Sequence, residues 1–440
     1  MVKAEVFFYG SLFFLFGVAL ASLGLNQLIV IILSSLTAIT FLFVKTIFLN
    51  KDFLIFAILS ICIILGSTRY EISDSNYKKS NVVFDEKIKL RGIVSAYPEK
   101  GLNSTRLIIN ELQVTTKPYE EFHYGDLVEV EGKVQKPIGD LKNFYKKENI
   151  KGLMPFPQVK LISQNHGSRI KSKLFSLREG MVANLYKILP RKQAALLAGI
   201  ILGEKSGFDK DFKEDMTKSG TSHLVALSGY NISIIAWSIE KTLGKILSQR
   251  KSFILALLTI LGFVILTGAE ASVVRASILA TIFLIAKTSQ KIFNVKNALI
   301  FAALIMVLIN PRILVFDIGF ELSFAAFIGI LYLEPFFRKL FKVDSRGEGI
   351  FLWRNNLATT SAAQVAVFPL IIYYFGYFSP ASLPANVLLL GFIPSTMALG
   401  FAAGFLGFIS YYFSLILGLA VNVLLTYEIF VIEFFGKIIS

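Results

Sequence analysis

The stretch SGTSHLVALSGYNISII, from Ser219 to Ile235, interrupts an apolar part of the chain with polar side chains and glycine. A helix that only spans a membrane has no use for them, because an unpaired polar group in hydrocarbon costs free energy and glycine loosens the backbone. The residues concerned are His223, Ser228, Gly229 and Asn231. The stretch is therefore either a broken segment that lines a wet cavity or not a membrane helix.

The composition favours a membrane protein. The 440 residues are 54% hydrophobic, include 41 Phe and are only 17% charged. Apolar runs such as Val6–Leu23 and Leu25–Leu49 are long enough to cross a bilayer. We therefore expect a polytopic all-α membrane bundle of about 10–11 transmembrane or re-entrant segments.

The charge distribution predicts the orientation of the chain. The formal net charge of +15 fits nucleic acid or anionic lipid as partners, and it fits equally well the lysine excess of cytoplasmic loops. By the positive-inside rule, Lys3, Lys45 and Lys51 place the N-terminus in the cytoplasm of a cell-membrane protein. The chain after Gly66 then lies outside the cytoplasm.

The sequence divides into four parts: N-terminal membrane helices (1–66), a polar domain (67–170), an interfacial and re-entrant part (171–222) and a C-terminal membrane domain (223–440). In the polar domain, alternating or short apolar runs predict strands at Lys87–Ile93, Arg106–Leu112, Leu127–Val134 and Gln158–Ser163. About five short strands suggest a small β-barrel, for which the oligonucleotide-binding (OB) type is plausible.

In the interfacial part, Ala194–Gly203 is too short to span a membrane, and we predict that it forms a re-entrant segment.

One turn-rich stretch of the β domain is a candidate DNA surface. OB-like barrels hold single strands by aromatic stacking and basic grooves. The stretch consists of Phe144, Tyr145, Lys146 and Lys147. The alternative is a solvated basic loop.

Three further polar clusters interrupt the C-terminal membrane domain, where ionisable residues are functional candidates by default. The first is Arg275, which follows Glu270 among small residues. In the second, Asp317 and Glu321 lie four residues apart, on one helix face, and Arg275 is their natural counter-charge. The third is Asn386 among several prolines, which should break the late helices.

Each cluster also has a structural interpretation. Asp317 could sit at a helix N-terminus, where the dipole favours it. Arg275 and Glu270 could form a purely structural pair. His223 alone is more often a helix-packing histidine than a ligand.

Enzymatic chemistry has weaker support. Ser228 and His223 are five residues apart, which does not place them on one helix face, and no G-x-S-x-G motif surrounds the serine. The chain has three well-separated histidines and one cysteine, so we predict no metal site. No G-x-x-x-x-G-K-[ST] loop is present. We expect neither a catalytic role nor a cofactor.

Four sequence motifs are characteristic in combination: GIILGEKSGFDKDFKEDMTKSGTSHLVALSGYNISII from Gly199, SVVRAS around Arg275, DIGFELSFAAFIGI from Asp317 and SPASLPANVLL from Ser379. Together they resemble the ComEC family, the membrane channel of bacterial competence. The polar domain resembles the extracellular OB-like domain of that family. The resemblance implies a channel that carries single-stranded DNA inward, fed by an extracellular DNA receptor and pulled by a cytoplasmic translocation ATPase.

The resemblance places the four polar clusters near a DNA conduit, which one chain or a homodimer could enclose among membrane lipids. Arg275 and Asn231 would face DNA or pair with the acidic face, while Asp317 and Glu321 would be structural or gating because carboxylates repel phosphate. Many family members have a histidine at the position of Asn231, so a histidine-dependent role there is in doubt. No H-x-H-x-D-H pattern occurs, so degradation of the non-transported strand should fall to another protein or not occur.

Two other functions remain open from the sequence. One is an ion-coupled transporter of another solute that uses Asp317 and Glu321 as proton sites. The other is an intramembrane hydrolase that acts through His223 and Ser228.

Overall fold

In a computed structural model, the chain is a helical protein with two small β-sheets, described over residues 3–48, 52–79, 82–101, 103–225, 232, 247–288, 294–343 and 353–438. The helices are α1 (Lys3–Ser22), α2 (Gln27–Phe48), α3 (Asp52–Lys78), α4 (Lys142–Lys147), α5 (Arg169–Ile188), α6 (Arg191–Leu202), α7 (Lys210–Lys218), α8 (Gln249–Leu266), α9 (Ala271–Thr288), α10 (Val295–Ile309), α11 (Ile313–Phe316), α12 (Ile318–Leu340), α13 (Trp353–Phe375), α14 (Ser382–Leu390), α15 (Ile393–Leu406) and α16 (Tyr411–Ile438). The strands are β1 (Lys87–Ile93), β2 (Glu99–Lys100), β3 (Thr105–Ile109), β4 (Leu112–Thr116), β5 (Leu127–Lys133), β6 (Gly152–Pro155) and β7 (Gln158–Ser163).

Six of these helices, α1, α2, α3, α12, α13 and α16, are long and apolar enough to cross a membrane. The pair α14 and α15, bent by 53° at a short break, would make a seventh span. The apolar helices α9 and α10 are shorter. By length and composition, the described ranges thus contain fewer spans than the predicted number of segments. The helices and sheets agree with a multi-pass helical bundle that carries an inserted sheet domain.

Helix α3 runs farther than the sequence predicted. Composition placed the end of the third apolar segment near Gly66 and the start of the polar domain at residue 67, but α3 continues to Lys78. Tertiary contacts hold this polar extension: the Arg69 guanidinium donates to the carbonyl oxygens of Leu308 at 2.7 Å and Ile309 at 3.0 Å. It thereby caps the C-terminus of α10, where carbonyl groups have no partner within the helix.

The β domain contains two sheets. In the first, β5 lies between β1 and β7, and both pairs are antiparallel. In the second, the order is β2, β3, β4 and β6, with β4 and β6 parallel. Isolated bridges join Val94 to Ile109 and Gln135 to Leu153, so the two sheets touch at two places.

The structure confirms the alternating pattern of the segment Leu127–Val134, which contains β5. Val128, Val130 and Val134 are fully buried in the core between the sheets, as their shared face predicted. The predicted strand Arg106–Leu112 is confirmed as far as Ile109, within β3, but its end is wrong, because the chain reverses at Asn110 and Glu111 with φ of 48° and 66°. This tight turn makes a hairpin of β3 and β4, since positive φ at both central residues matches the twist of the strands.

A nearly all-buried helix forms the centre of the largest core. All residues of α6 from Ala194 to Leu202 are buried, and they pack with Met181 of α5, Met397 of α15 and Leu425 of α16. Gly203, with φ of 70°, ends the helix. With 12 residues, α6 is too short to span, and its surroundings in the described chain are protein on every side. Its re-entrant character stays a prediction.

The prolines break the late helices at only some of the predicted positions. Pro369 lies inside α13, which continues to Phe375. Pro394 lies in the first turn of α15, where a proline is tolerated because its missing N–H would have no partner. The bend therefore falls between α14 and α15.

Helices α1 and α3 approach each other through glycines. A Cβ atom on Gly17 would overlap the backbone of Ile63, and one on Gly66 would overlap the backbone of Phe14. Gly10, on the same helix as Gly17, has room: its Cβ would lie 3.6 Å from the Leu59 side chain. Small residues at such crossings let helix backbones pack closely.

We expect Gly66→Ala to lower the free energy of unfolding by about 1–3 kcal/mol, because an added methyl forces two backbones apart. Denaturant unfolding of the purified protein in detergent measures this. Gly10→Ala is the matched control and should change stability little. Equal stability of the two variants would contradict the close α1–α3 crossing.

Candidate functional site

The first part of the opening stretch, residues 219–225, is not α-helical. After α7 the chain turns at Gly220, which has φ of 69°, and then forms one 3-10 turn over Ser222–Leu224 that contains His223. The hydroxyls of Ser219 and Thr221, both buried, lie 2.7 Å apart. Ser228, Gly229 and Asn231, and the predicted break between Ser228 and Gly229, lie outside the described residues.

This turn packs directly on α14, so two of the four polar clusters meet. A Cβ on Gly220 would overlap Ser382, which leaves no space for a side chain there. The hydroxyl of Ser379 donates to the carbonyl oxygen of Lys218. The Ser382 hydroxyl accepts from Gln364 at 2.7 Å and from Asn386 at 3.2 Å. Asn386 is buried, and its Oδ1 has no hydrogen-bond partner in the described chain.

Arg275 is a buried cation of the membrane domain. Its side chain on α9 is 6% exposed, and its guanidinium lies 5.6 Å from the centre of the Phe324 ring on α12. Within the described ranges, Nη1 has no hydrogen-bond acceptor and the side chain forms no ion pair within 4.0 Å. Glu270 pairs instead with Lys205 at 3.6 Å, so the alternative of a structural Glu270–Arg275 pair does not hold. Arg275 keeps an electrostatic interaction with Asp317.

Asp317 caps α12 and pairs with the β domain. Its Oδ1 accepts from the backbone N–H of Phe320 at 3.1 Å, which confirms the alternative of a helix N-terminus. Its Oδ2 lies 3.1 Å from Nζ of Lys147 on α4. The counter-charge in direct contact is thus Lys147 rather than Arg275, because the β domain brings an ammonium group to the helix end.

Glu321 lies one turn after Asp317 and contacts a different helix. Its Oε2 accepts a hydrogen bond of 2.7 Å from the Tyr374 hydroxyl on α13. Asp317 therefore faces the β domain, while Glu321 joins α12 to α13.

Helix α4 docks on the ends of the membrane helices. Nζ of Lys146 lies 2.6 Å from Asp74 of α3. The Arg312 guanidinium donates to the carbonyl oxygens of Ser73 at 2.5 Å and Lys146 at 3.1 Å. Asn310 donates to the carbonyl oxygen of Lys147 at 3.0 Å. We call these contacts, with the Lys147–Asp317 pair, the α4 junction.

The electrostatics of the junction keep Lys147 charged. Burial alone would lower the pKa of its ammonium group, but the carboxylates of Glu148 and Asp317 outweigh burial and raise the pKa above its usual value. A raised lysine pKa means that the stabilisation is fully present at neutral pH and is lost only when pH rises through the folded-state pKa. The pair therefore holds at physiological pH.

A second junction joins the β domain to α5. The buried Arg178 guanidinium lies 4.4 Å from the centre of the Tyr97 ring and 3.2 Å from Oε2 of Glu204. It also donates to the carbonyl oxygen of Leu266, at the end of α8, at 3.3 Å. Burial raises the pKa of Tyr97. The structure thus buries Arg178 between the β domain and the helices.

The candidate DNA surface of the β domain coincides with the α4 junction. The ammonium groups of Lys146 and Lys147 contact carboxylates, and Lys147 also lies 5.0 Å from the centre of the Phe144 ring. Phe144 and Tyr145 form an edge contact with ring centres 5.6 Å apart. DNA binding by these four residues stays a prediction. It would require Lys146 and Lys147 to leave their carboxylate partners and contact DNA phosphates instead.

One buried carboxyl group was missed by the sequence reasoning. Glu428 of α16 is 1% exposed; its Oε1 accepts from the Thr396 hydroxyl at 2.5 Å, and its Oε2 has no partner among the described residues. An isolated acidic residue in a long apolar run was the available signal. The described ranges contain no group of three or more His, Cys, Asp or Glu side chains that could hold a metal ion.

Comparison with known proteins identifies the family. Residues 200–439, more than half of the chain, match the family described as Competence protein. The chain belongs to the Competence protein family. The matched region contains the described His223, Arg275, Asp317, Glu321 and Asn386, whereas the β domain precedes it.

A curated relative points to the same family. ComE operon protein 3 of Bacillus subtilis (strain 168) is 26% identical over 237 residues. The match covers 54% of this chain and 29% of that protein, so the chain spans less than a third of the relative's length. No solved structure matches the chain.

We expect Arg312→Ala to release α4 from the membrane helices, because the substitution leaves buried carbonyl groups without a donor. Leaving a buried hydrogen-bond acceptor without a partner costs about 1–3 kcal/mol. Hydrogen–deuterium exchange of the amides at residues 142–150 should therefore become much faster. Arg106→Ala, which removes an exposed guanidinium on β3, is the control. Unchanged exchange in Arg312→Ala would show that the α4 junction does not depend on this side chain.

Proposed function

We propose that the chain is a channel that carries single-stranded DNA across the cytoplasmic membrane during natural transformation. The observation that carries the proposal is the match of the membrane domain to the Competence protein family. The helical bundle supplies the spans that a membrane channel needs.

The residues nearest DNA in this proposal are Arg275 and Asn231. Arg275 supports it because a buried guanidinium with an unsatisfied Nη1 suits a phosphate oxygen. Its position on Phe324 keeps the cation out of lipid. His223 and Asn386 line the same route, where the turn after α7 meets α14. Ser228 and Gly229, which follow His223 in sequence, belong to that route as well.

The acidic residues act in gating rather than in DNA contact. Carboxylates repel phosphate, and both Asp317 and Glu321 are held by other groups: Lys147 on one side and Tyr374 on the other. A displacement of α4 would move Lys147 away from Asp317 and so alter the charges beside Arg275, because Asp317 interacts with both Lys147 and Arg275.

The β domain is an OB-like barrel on the outer side of the membrane in this proposal. Two bridges between its sheets and one shared core support a barrel-like arrangement. Few basic residues lie near Glu270 and Arg312, whereas the loops that follow α9 and α12 are rich in them, and this supports that orientation. DNA would arrive from an extracellular receptor, contact Phe144–Lys147, and be pulled inward by a separate cytoplasmic ATPase. One chain or a homodimer would enclose the conduit.

We expect Arg275→Ala to lower transformation by about 10- to 100-fold, since a hydrogen bond to a charged group contributes about 1.5–3 kcal/mol. Transformant counts with a selectable DNA fragment measure the effect, and membrane fractions show whether the variant is inserted. Arg354→Ala, which removes an exposed guanidinium on α13, is the control. Unchanged transformation by an inserted Arg275→Ala protein would remove Arg275 from the mechanism.

A further inference from the structure

An exposed apolar loop lies between β5 and α4. It spans residues 136–142, and we call it the 136–142 loop. Ile138 is 83% exposed, more than any other large hydrophobic side chain in the described chain, and Leu141 is 58% exposed. Pro137 between them and β5 is buried, so the base of the loop is anchored while its tip stands out. Gly139, with φ of 74°, makes the turn at the tip.

Comparable exposure occurs elsewhere at the ends of membrane helices. Tyr373 and Ile409, each 80% exposed, lie near the end of α13 and just before α16, both candidate spans. Lipid would cover such side chains in a membrane protein. The 136–142 loop belongs to no span, so its exposed isoleucine and leucine need another cover.

The position of the loop indicates what covers these two side chains. Its last residue, Lys142, begins α4, a helix of six residues that is about 9 Å long. The other end of α4 contacts Asp317 and Asn310, directly before α12 and directly after α10. The 136–142 loop therefore lies close to the level at which the apolar helices α10 and α12 meet the β domain.

The charges at the edges of the loop fit a lipid surface. Lys136 and Lys142 are exposed and bracket the two apolar side chains. Basic residues beside a small apolar tip match phosphate headgroups above acyl chains. Neighbouring Phe144 is different, because Lys147 and Tyr145 contact its ring.

We propose that the 136–142 loop is a membrane-surface anchor. Ile138 and Leu141 enter the boundary between headgroups and acyl chains, and Lys136 and Lys142 contact the lipid phosphates. The β domain is then held by the bilayer as well as by the α4 junction. This role does not depend on what the bundle transports.

Fluorescence of a label at position 138 tests the anchor in the full-length protein. An Ile138→Cys variant in a Cys62→Ala background is labelled with nitrobenzoxadiazole and reconstituted into vesicles of phosphatidylglycerol and phosphatidylcholine. Lys100→Cys is the matched control. It lies on β2, at the opposite edge of its sheet from β6, the strand nearest to α4 in the chain.

We expect doxyl-labelled lipid to quench the label at 138 and iodide to quench it several-fold less than the label at 100. Equal quenching by iodide at both positions, with no effect of doxyl lipid, would overturn the anchor. A label at 138 that stays open to iodide until a single-stranded oligodeoxynucleotide is added would also overturn it, in favour of nucleic-acid contact.

Discussion

The buried guanidinium of Arg312 joins three parts of the chain that are far apart in sequence. It donates to carbonyl groups of α3 and α4, and it lies 4.7 Å from the centre of the Tyr77 ring. A buried cation is costly unless hydrogen bonds satisfy it, so the polar end of α3, the start of α11 and helix α4 must keep their mutual positions. The placement of the β domain on the membrane helices follows from that requirement.

The α4 junction connects the β domain to the membrane helices. Lys147 holds the carboxylate that caps α12, and the same carboxylate interacts with the buried Arg275 on α9. A displacement of the β domain would thus change the charges around Arg275 in the candidate DNA route, because the Lys147–Asp317 ion pair and the start of α12 connect the two. In a channel that receives DNA from outside, this arrangement would couple arrival at the β domain to the state of the route.

Local patterns predicted the local structure, and long-range contacts decided the rest. The bounds of β1 and β7 followed from the sequence because alternation is a property of neighbouring residues. The end of α3 did not, because Arg69 and Asp74 are satisfied by groups from distant segments. The partner of Asp317 was unpredictable for the same reason, since Lys147 lies 170 residues away in sequence. Family motifs identified the membrane domain where periodicity alone gave only apolar runs.

The most direct test of the DNA channel is the entry of labelled DNA into cells that lack the chain and into the same cells with the chain restored. The account predicts that internalised, nuclease-protected label appears only when the chain is present, while uptake of amino acids and ions is the same in both strains. Equal protection of labelled DNA in the two strains would contradict it, as would a defect in solute uptake that leaves DNA entry unchanged.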